Sequence, residues 1–274
     1  MITRVTFLSL YFLILSSFTA DAQLDVMTAT ERDGENAWSK RKADVAALIN
    51  EYHPDILGVQ EVFYDQILYL DEALKDYSYV GKASVDGNMV GEYTAVFYDT
   101  TKVKCVLNET FWLSDTPKIP SRELGTNNTR TCTYGAFQIL NGGSDTLHVY
   151  NAHFDHEVPE IRSRNAQVVL TRTVMNGRLL AHKRTIVMGD FNCDIDNRSM
   201  RLLQLAMKPG IEQALSILGP SGTFNGFDVN SKLNTAIDHI LVRDLKVLEY
   251  RHIDDCRPNG LWLSNHLPVM ATVN

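Results

Sequence analysis

The chain has 274 residues, 45% hydrophobic and 22% charged, the make-up of an ordinary globular protein. Its net charge of −7 excludes the broad basic footprint with which nucleic-acid binders engage phosphate backbones, although not a local basic rim. Beyond the first residues, no stretch is apolar and long enough to cross a bilayer.

In chain order, residues 1–22 read as a secretory signal peptide. Arg4 gives the positive start, Val5 to Phe18 a nearly unbroken apolar run, and Ala20-Asp21-Ala22 a small-x-small cleavage site. Gln23 is then the expected first residue of a secreted or periplasmic chain; an uncleaved anchor is the alternative. Residues 23–274 suffice for one large domain, and no repeat, low-complexity run or linker divides them.

Residues 24–29 predict a first strand. Residues 38–52 predict an amphipathic helix, with Val45, Leu48, Ile49 and Tyr52 on one face and Pro54 beyond its end. A buried strand is expected at 55–61 and a helix at 66–74. Strand-like runs follow at 93–99, 102–113, 130–140 and 146–154. Pro159 and Glu160 open a long helix reaching about His182. A strand at 184–192, a short helix at 198–207 and strands at 235–242, 245–253 and 268–273 complete the chain. Cys105, Cys132, Cys193 and Cys256 form no CxxC pair, which argues against a zinc site; three disulfide pairings and free thiols all remain open.

Several of these strands run apolar and end abruptly in polar residues: Gln60-Glu61, His153, Gly189 to Asn192, and Asp238-His239. Ligand sites in α/β proteins gather at such ends, because strands are rigid, adjacent attachment points. In VMGDFNCD, Asp190 and Asn192 stand two apart, a carboxylate and an amide suited to orienting a water and a phosphoryl oxygen. Taken alone, the same residues describe an Asx-rich turn. Glu61 follows a buried strand, as a Mg²⁺-binding carboxylate would. His153 is a candidate phosphate donor, and Asp155 shares its face of the chain. Asp238, expected at the centre of a strand, needs a buried partner, and His266 in SNHLPV is the natural one. An Asp that orients a His is a recurring catalytic dyad.

In order, VMTATER, Trp38 to Arg41, PDILGVQE, GEYTAVFYD, TFWLSDTP, HFDH, GDFN, IDHI and SNHLPV make the chain resemble the endonuclease/exonuclease/phosphatase family of metal-dependent phosphoesterases, which look like DNase I. The resemblance implies a four-layer α/β/β/α sandwich with two central mixed β-sheets. It implies Mg²⁺ or Mn²⁺ at Glu61, with Asp190 and Asn192 positioning water and phosphate. It further implies His153 on the phosphate, and His266 as the catalytic histidine oriented by Asp238. Two positions depart from the family pattern: Thr30 stands where an Asn is usual, and Asn265 where an Asp is usual. Both belong to the expected metal side of the site, and Asn265 removes a negative charge from it.

The function expected is therefore an exported Mg²⁺-dependent phosphoesterase using in-line attack of water. The alternative is a catalytically weakened relative that binds a phosphorylated ligand. Loops 82–92, 114–129 and 220–235 carry no basic cluster with interleaved aromatics, so a small-molecule or lipid-type phosphoester is expected over nucleic acid, with no stable membrane insertion. Arg122 and Arg130 are either phosphate contacts or solvated surface residues.

Overall fold

The computed structural model describes residues 23–31, 38–140, 146–179 and 184–274. The predicted leader and the predicted end of the long helix at His182 lie outside them. The strands are β1 (Leu24–Thr30), β2 (Ile56–Val62), β3 (Tyr77–Val80), β4 (Tyr93–Asp99), β5 (Val103–Trp112), β6 (Thr131–Ile139) and β7 (Thr146–His153). They continue with β8 (Thr185–Asp190), β9 (Lys208–Pro209), β10 (Ser216–Leu218), β11 (Asp238–Arg243), β12 (Val247–His252) and β13 (Val269–Val273). The helices are α1 (Trp38–Tyr52), α2 (Tyr64–Ala73), α3 (Pro159–Leu179), α4 (Arg198–Leu203) and α5 (Gly210–Gln213).

Two mixed sheets result, a seven-stranded one ordered β10-β12-β13-β1-β2-β4-β3 and a six-stranded one ordered β5-β6-β7-β8-β11-β9. Strand alternation assigns side chains to three apolar layers. Leu24, Val26 and Ile56 of the first sheet meet Leu147, Val149, Ile186 and Met188 of the second between the sheets. The intervening Met27, Ala29, Leu57 and Val59 turn outward onto Val45, Leu48 and Ile49 of α1 and Ile67 and Leu70 of α2. On the opposite side Tyr150, Ala152 and Val187 pack with Ala166, Val169 and Leu170 of α3 and Met200 and Leu203 of α4. Each such aliphatic or aromatic side chain contributes about 1.5–3 kcal/mol by leaving water. The four-layer sandwich expected from the sequence is the fold observed.

Parallel pairing sets Thr30 beside Gln60 in one sheet and His153 beside Asp190 in the other. The antiparallel β11 begins at Asp238, directly opposite Asp190. All the polar strand ends therefore arrive at one edge of the sandwich. Gly189 permits this approach: at φ +142°, a Cβ there would lie 1.8 Å from the carbonyl oxygen of Ala152.

Some boundaries differ from the sequence reading. Asp238 is the first residue of its strand and not its centre, because Thr235 spends its carbonyl on the amides of Thr223 and Phe224 and pairs with no strand of the sheet. The short helix ends at Leu203, where the chain tightens into i→i+3 turns at Leu205 and Ala206. The edge strands β3, β9 and β10 and the single-turn α5 were not expected from periodicity, since each is four residues or shorter. All four cysteines are free, and Cys132 and Cys193 are buried.

Candidate active site

Two of the polar strand ends hold strained backbone. Glu61 has φ +58° and sits where the β2–β4 ladder loses register between Val59 and Val62. Asn192 has φ +53°. Left-handed backbone at a non-glycine residue costs about 1–3 kcal/mol and persists where the surroundings over-determine it. The bulge turns Glu61 towards the second sheet, with Oε1 3.8 Å from His153 Nε2. The turn at Asn192 lets its amide donate to Asp190 Oδ1 (2.9 Å) while its side chain donates to the carbonyl of Phe154 (3.0 Å). Asp190 Oδ2 is left facing His153 Nε2 at 3.5 Å.

Arg130 fixes the state of His153. Its Nη1 lies 2.9 Å from His153 Nδ1 and 3.1 Å from Glu92 Oε2, and its Nη2 lies 2.9 Å from His156 Nδ1. A guanidinium only donates, so both Nδ1 atoms are acceptors and both imidazoles carry hydrogen on Nε2. His153 is thus neutral, and it presents an N–H towards Glu61 and Asp190. The sequence left Arg130 between phosphate contact and solvated surface; the structure buries it beneath two histidines.

His266 is held differently. Its Nδ1 donates to Asp238 Oδ2 at 2.8 Å, with Oδ1 at 3.1 Å. Burial opposes charging of the ring, but the anions of Asp238, Asp190 and Glu61 outweigh it and raise the pKa to about 9. The ring is an imidazolium at neutral pH, with Nε2–H its remaining donor. Burial pushes Asp238 up, yet the charge and hydrogen bond of His266 and the hydroxyl of Thr223 (2.6 Å) together hold it below the usual carboxylate range. Asp190 goes the other way. Burial raises it to about 7, Asp238 and Glu61 adding to the rise and His266 opposing it.

Thr30 lies on the floor of this cluster. Its hydroxyl is 3.0 Å from Gln60 Oε1 and 3.2 Å from Asp238 Oδ1, so it is committed to orienting those groups. Gln60 donates onward to Thr28 and to Asn151, which ties the two sheets beneath the site. Asn265 is buried. Its carbonyl takes the amides of Asn225 and Gly226, and its side-chain oxygen accepts from Ser264. Arg41 anchors the segment before it: the guanidinium pairs with Glu31 at 2.5 Å and donates to the carbonyl of Leu263 at 2.9 Å.

Glu61, Asp190, Asn192, His266 and Arg130 open into one cavity of about 590 Å³, with Glu92, Phe63 and Phe224 among its walls. Of the residues singled out by sequence, the structure therefore gathers Glu61, His153, Asp190, Asn192, Asp238 and His266, with Thr30 beneath. Glu92 and Phe224 were missed. The first stands just before β4, and no local pattern marks it as the neighbour of His153.

A divalent cation fits the donor set. Glu61, His153 and Asp190 bring potential ligand atoms within 4.8 Å of one another, as do Asp190, Asp238 and His266. A metal-bound histidine donates from its other ring nitrogen. His153 instead accepts there, and His266 is protonated, so neither offers a lone pair. The carboxylates of Glu61 and Asp190 remain, and such hard oxygen donors suit Mg²⁺ or Mn²⁺ over zinc. Burial is the main cause of the raised pKa of Asp190, with Asp238 and Glu61 adding to it, and a cation beside the carboxylate would favour its charged form.

A model of the Endonuclease/Exonuclease/phosphatase family matches residues 22–266. A solved endonuclease/exonuclease/phosphatase family protein from Bacteroides thetaiotaomicron superposes with a TM-score of 0.87 at 29% identity, covering 92% of this chain and 95% of that one. A mannosyl-6-phosphatase from the same species superposes at 0.86 with 30% identity, covering 92% and 99%. An uncharacterized protein of Acanthamoeba polyphaga mimivirus is 26% identical over 164 residues, 57% of this chain; the match spans only 60% of that relative.

Proposed function

The chain belongs to the endonuclease/exonuclease/phosphatase family, and from that premise we propose that it is a divalent-metal-dependent phosphoesterase acting on a small phosphorylated molecule. The single observation that carries the reading is the convergence of Asp190, Glu61 and the His266–Asp238 dyad on one cavity. The mannosyl-6-phosphatase relative supports a phosphomonoester, and the acidic chain supports a small substrate over a polynucleotide.

Glu61, with Asp190 close by, would hold the cation. Mg²⁺ or Mn²⁺ supplies a Lewis acid that neutralises charge developing on the phosphoryl oxygens. The chain's own groups do the rest. Asn192 and Asp190 position the attacking water, and the Asp190 carboxylate accepts its proton as oxygen bonds to phosphorus. The bond from phosphorus to the substrate oxygen breaks, and His266 Nε2–H supplies the proton that leaves with it. His153 and Arg130 donate to the non-bridging oxygens.

Hydrolysis of phosphomonoesters and phosphodiesters with Mg²⁺ or Mn²⁺, with Asp190→Ala as control, tests this. Activity abolished by the substitution is the expected result. A second reading, a weakened relative that binds a phosphorylated ligand, is favoured by Thr30 and Asn265. It predicts an inactive wild type and activity in Thr30→Asn/Asn265→Asp. We further propose export through the leader at 1–22, for which N-terminal sequencing of the native protein should begin at Gln23.

A further inference from the structure

The floor of the cavity carries the chemistry, and its walls bear on what is held there. Phe63, immediately before α2, and Phe224 both line the cavity yet keep 42% and 41% of their surface exposed. Phe224 meets the His266 ring edge-on, with centroids 5.2 Å apart. Leaving two phenyl groups in water at a reaction centre forfeits burial unless a ligand covers them.

The polar walls complement them. Glu92 gives Oε2 to Arg130 at 3.1 Å, which leaves Oε1 as an acceptor. His156 accepts from Arg130 through Nδ1 at 2.9 Å, so its Nε2–H is a donor, with the exposed Glu157 Oε1 3.5 Å away for a substrate hydroxyl to displace. One arginine thus sets an acceptor and a donor at the rim.

An acyl chain would need a continuous apolar wall, which these polar groups interrupt. A polynucleotide would need a basic track, and the lining carries Glu61, Glu92 and Asp190 against Arg130 and the His266 imidazolium. A pyranose has an apolar C–H face and a rim of hydroxyls that both donate and accept. We propose that Phe63 and Phe224 wall a leaving-group subsite for a phosphorylated monosaccharide, with Glu92 and His156 taking its hydroxyls. The proposal rests on the phosphoesterase reading above for the phosphate half of the substrate.

The test compares kcat/KM for a hexose 6-phosphate, glycerol 3-phosphate and a nucleoside 5′-monophosphate, in wild type, Phe63→Ala and Phe63→Trp. Wild type should prefer the hexose phosphate to the acyclic one. That preference should fall about tenfold in Phe63→Ala, mainly through KM, and survive in Phe63→Trp. A wild type that treats both alike, or a preference untouched by Phe63→Ala, overturns the proposal. Preference for the nucleotide overturns the carbohydrate assignment. If no phosphoester turns over, the catalytic reading fails separately, and calorimetry decides the subsite. Hexose 6-phosphate binding tighter than inorganic phosphate, with the difference lost in Phe63→Ala, upholds it; equal binding sinks it.

Discussion

Replacing Asp238 by Asn keeps the shape beside His266 and removes the charge. The rise of His266 from 6.5 to about 9 amounts to a preference for the imidazolium of about 3 kcal/mol in the folded, metal-free protein. Because the folded pKa lies above the unfolded one, this stabilisation is complete below 6.5 and disappears as pH rises through about 9. In Asp238→Asn, burial is opposed only by Asp190 and Glu61, so His266 should titrate well below its wild-type midpoint. Urea unfolding in the presence of a chelator gives the stability, and the His266 proton resonance gives the titration. Wild type should exceed the variant by about 3–5 kcal/mol at pH 6, the usual cost of breaking a buried ion pair, and the gap should narrow by pH 10. A gap that is constant between these pH values, or a wild-type His266 titrating near 6.5, would refute the assignment of the dyad as an ion pair.

Glu31→Gln or Arg41→Met should each cost about 3–5 kcal/mol in urea unfolding, because the pair is wholly buried, while Glu31→Gln/Arg41→Met costs less than the sum. Costs below about 1 kcal/mol would mean that the pair behaves as an exposed one. Asp155 accepts from Thr126, Asn128 and the amides of Glu157 and Val158. Burial pushes its carboxyl up, but these bonds prevail and hold it below the usual 3.8. Its contribution is therefore present above 3.8 and lost as pH falls further, and Asp155→Ala should cost about 2–3 kcal/mol at pH 7 and flatten the acid limb of a stability profile. Gly189→Ala forces β7 and β8 apart and should lower stability by more than about 4 kcal/mol, read as the loss of a cooperative melt. Asn265→Asp should lower the melting temperature in chelator and raise it in excess Mn²⁺; a shift of the same sign in both conditions would show that position 265 does not sense the cation.

The residues that were legible in the sequence are those whose signal is local. Asp190 and Asn192 follow an apolar strand directly, and Glu61 does the same after DILGVQ, so short-range patterns marked the strand ends. Arg130 was ambiguous because its meaning depends on the register of β6 against β7, which sets it under His153. Glu92 was silent for the same reason, since only the fold brings it to Arg130. Thr30 could be read as a departure from the family pattern, but not as a donor to Asp238, because that bond joins residues 208 positions apart in different sheets.

The two departures make sense together as charge management. Glu61, Asp190 and Asp238 already meet within a buried cluster that raises Asp190 to about 7, with His266 as the cation they share. A further carboxylate at position 265, itself buried, would add one more negative charge to this region, with no cation among the described residues of the cluster but His266 to offset it. The same charge would strengthen attraction for a divalent ion. On the metal-dependent reading proposed above, an amide at 265 would trade hold on the cation for a pocket that tolerates its absence. Thr30 turns its hydroxyl to Asp238 and Gln60, which adds a donor to the dyad. If the proposed function holds, a site built in this way would keep its proton-handling groups ordered without the ion, through the bonds of Asp238 to His266, Thr223 and Thr30, and the ion's concentration would govern activity more than fold.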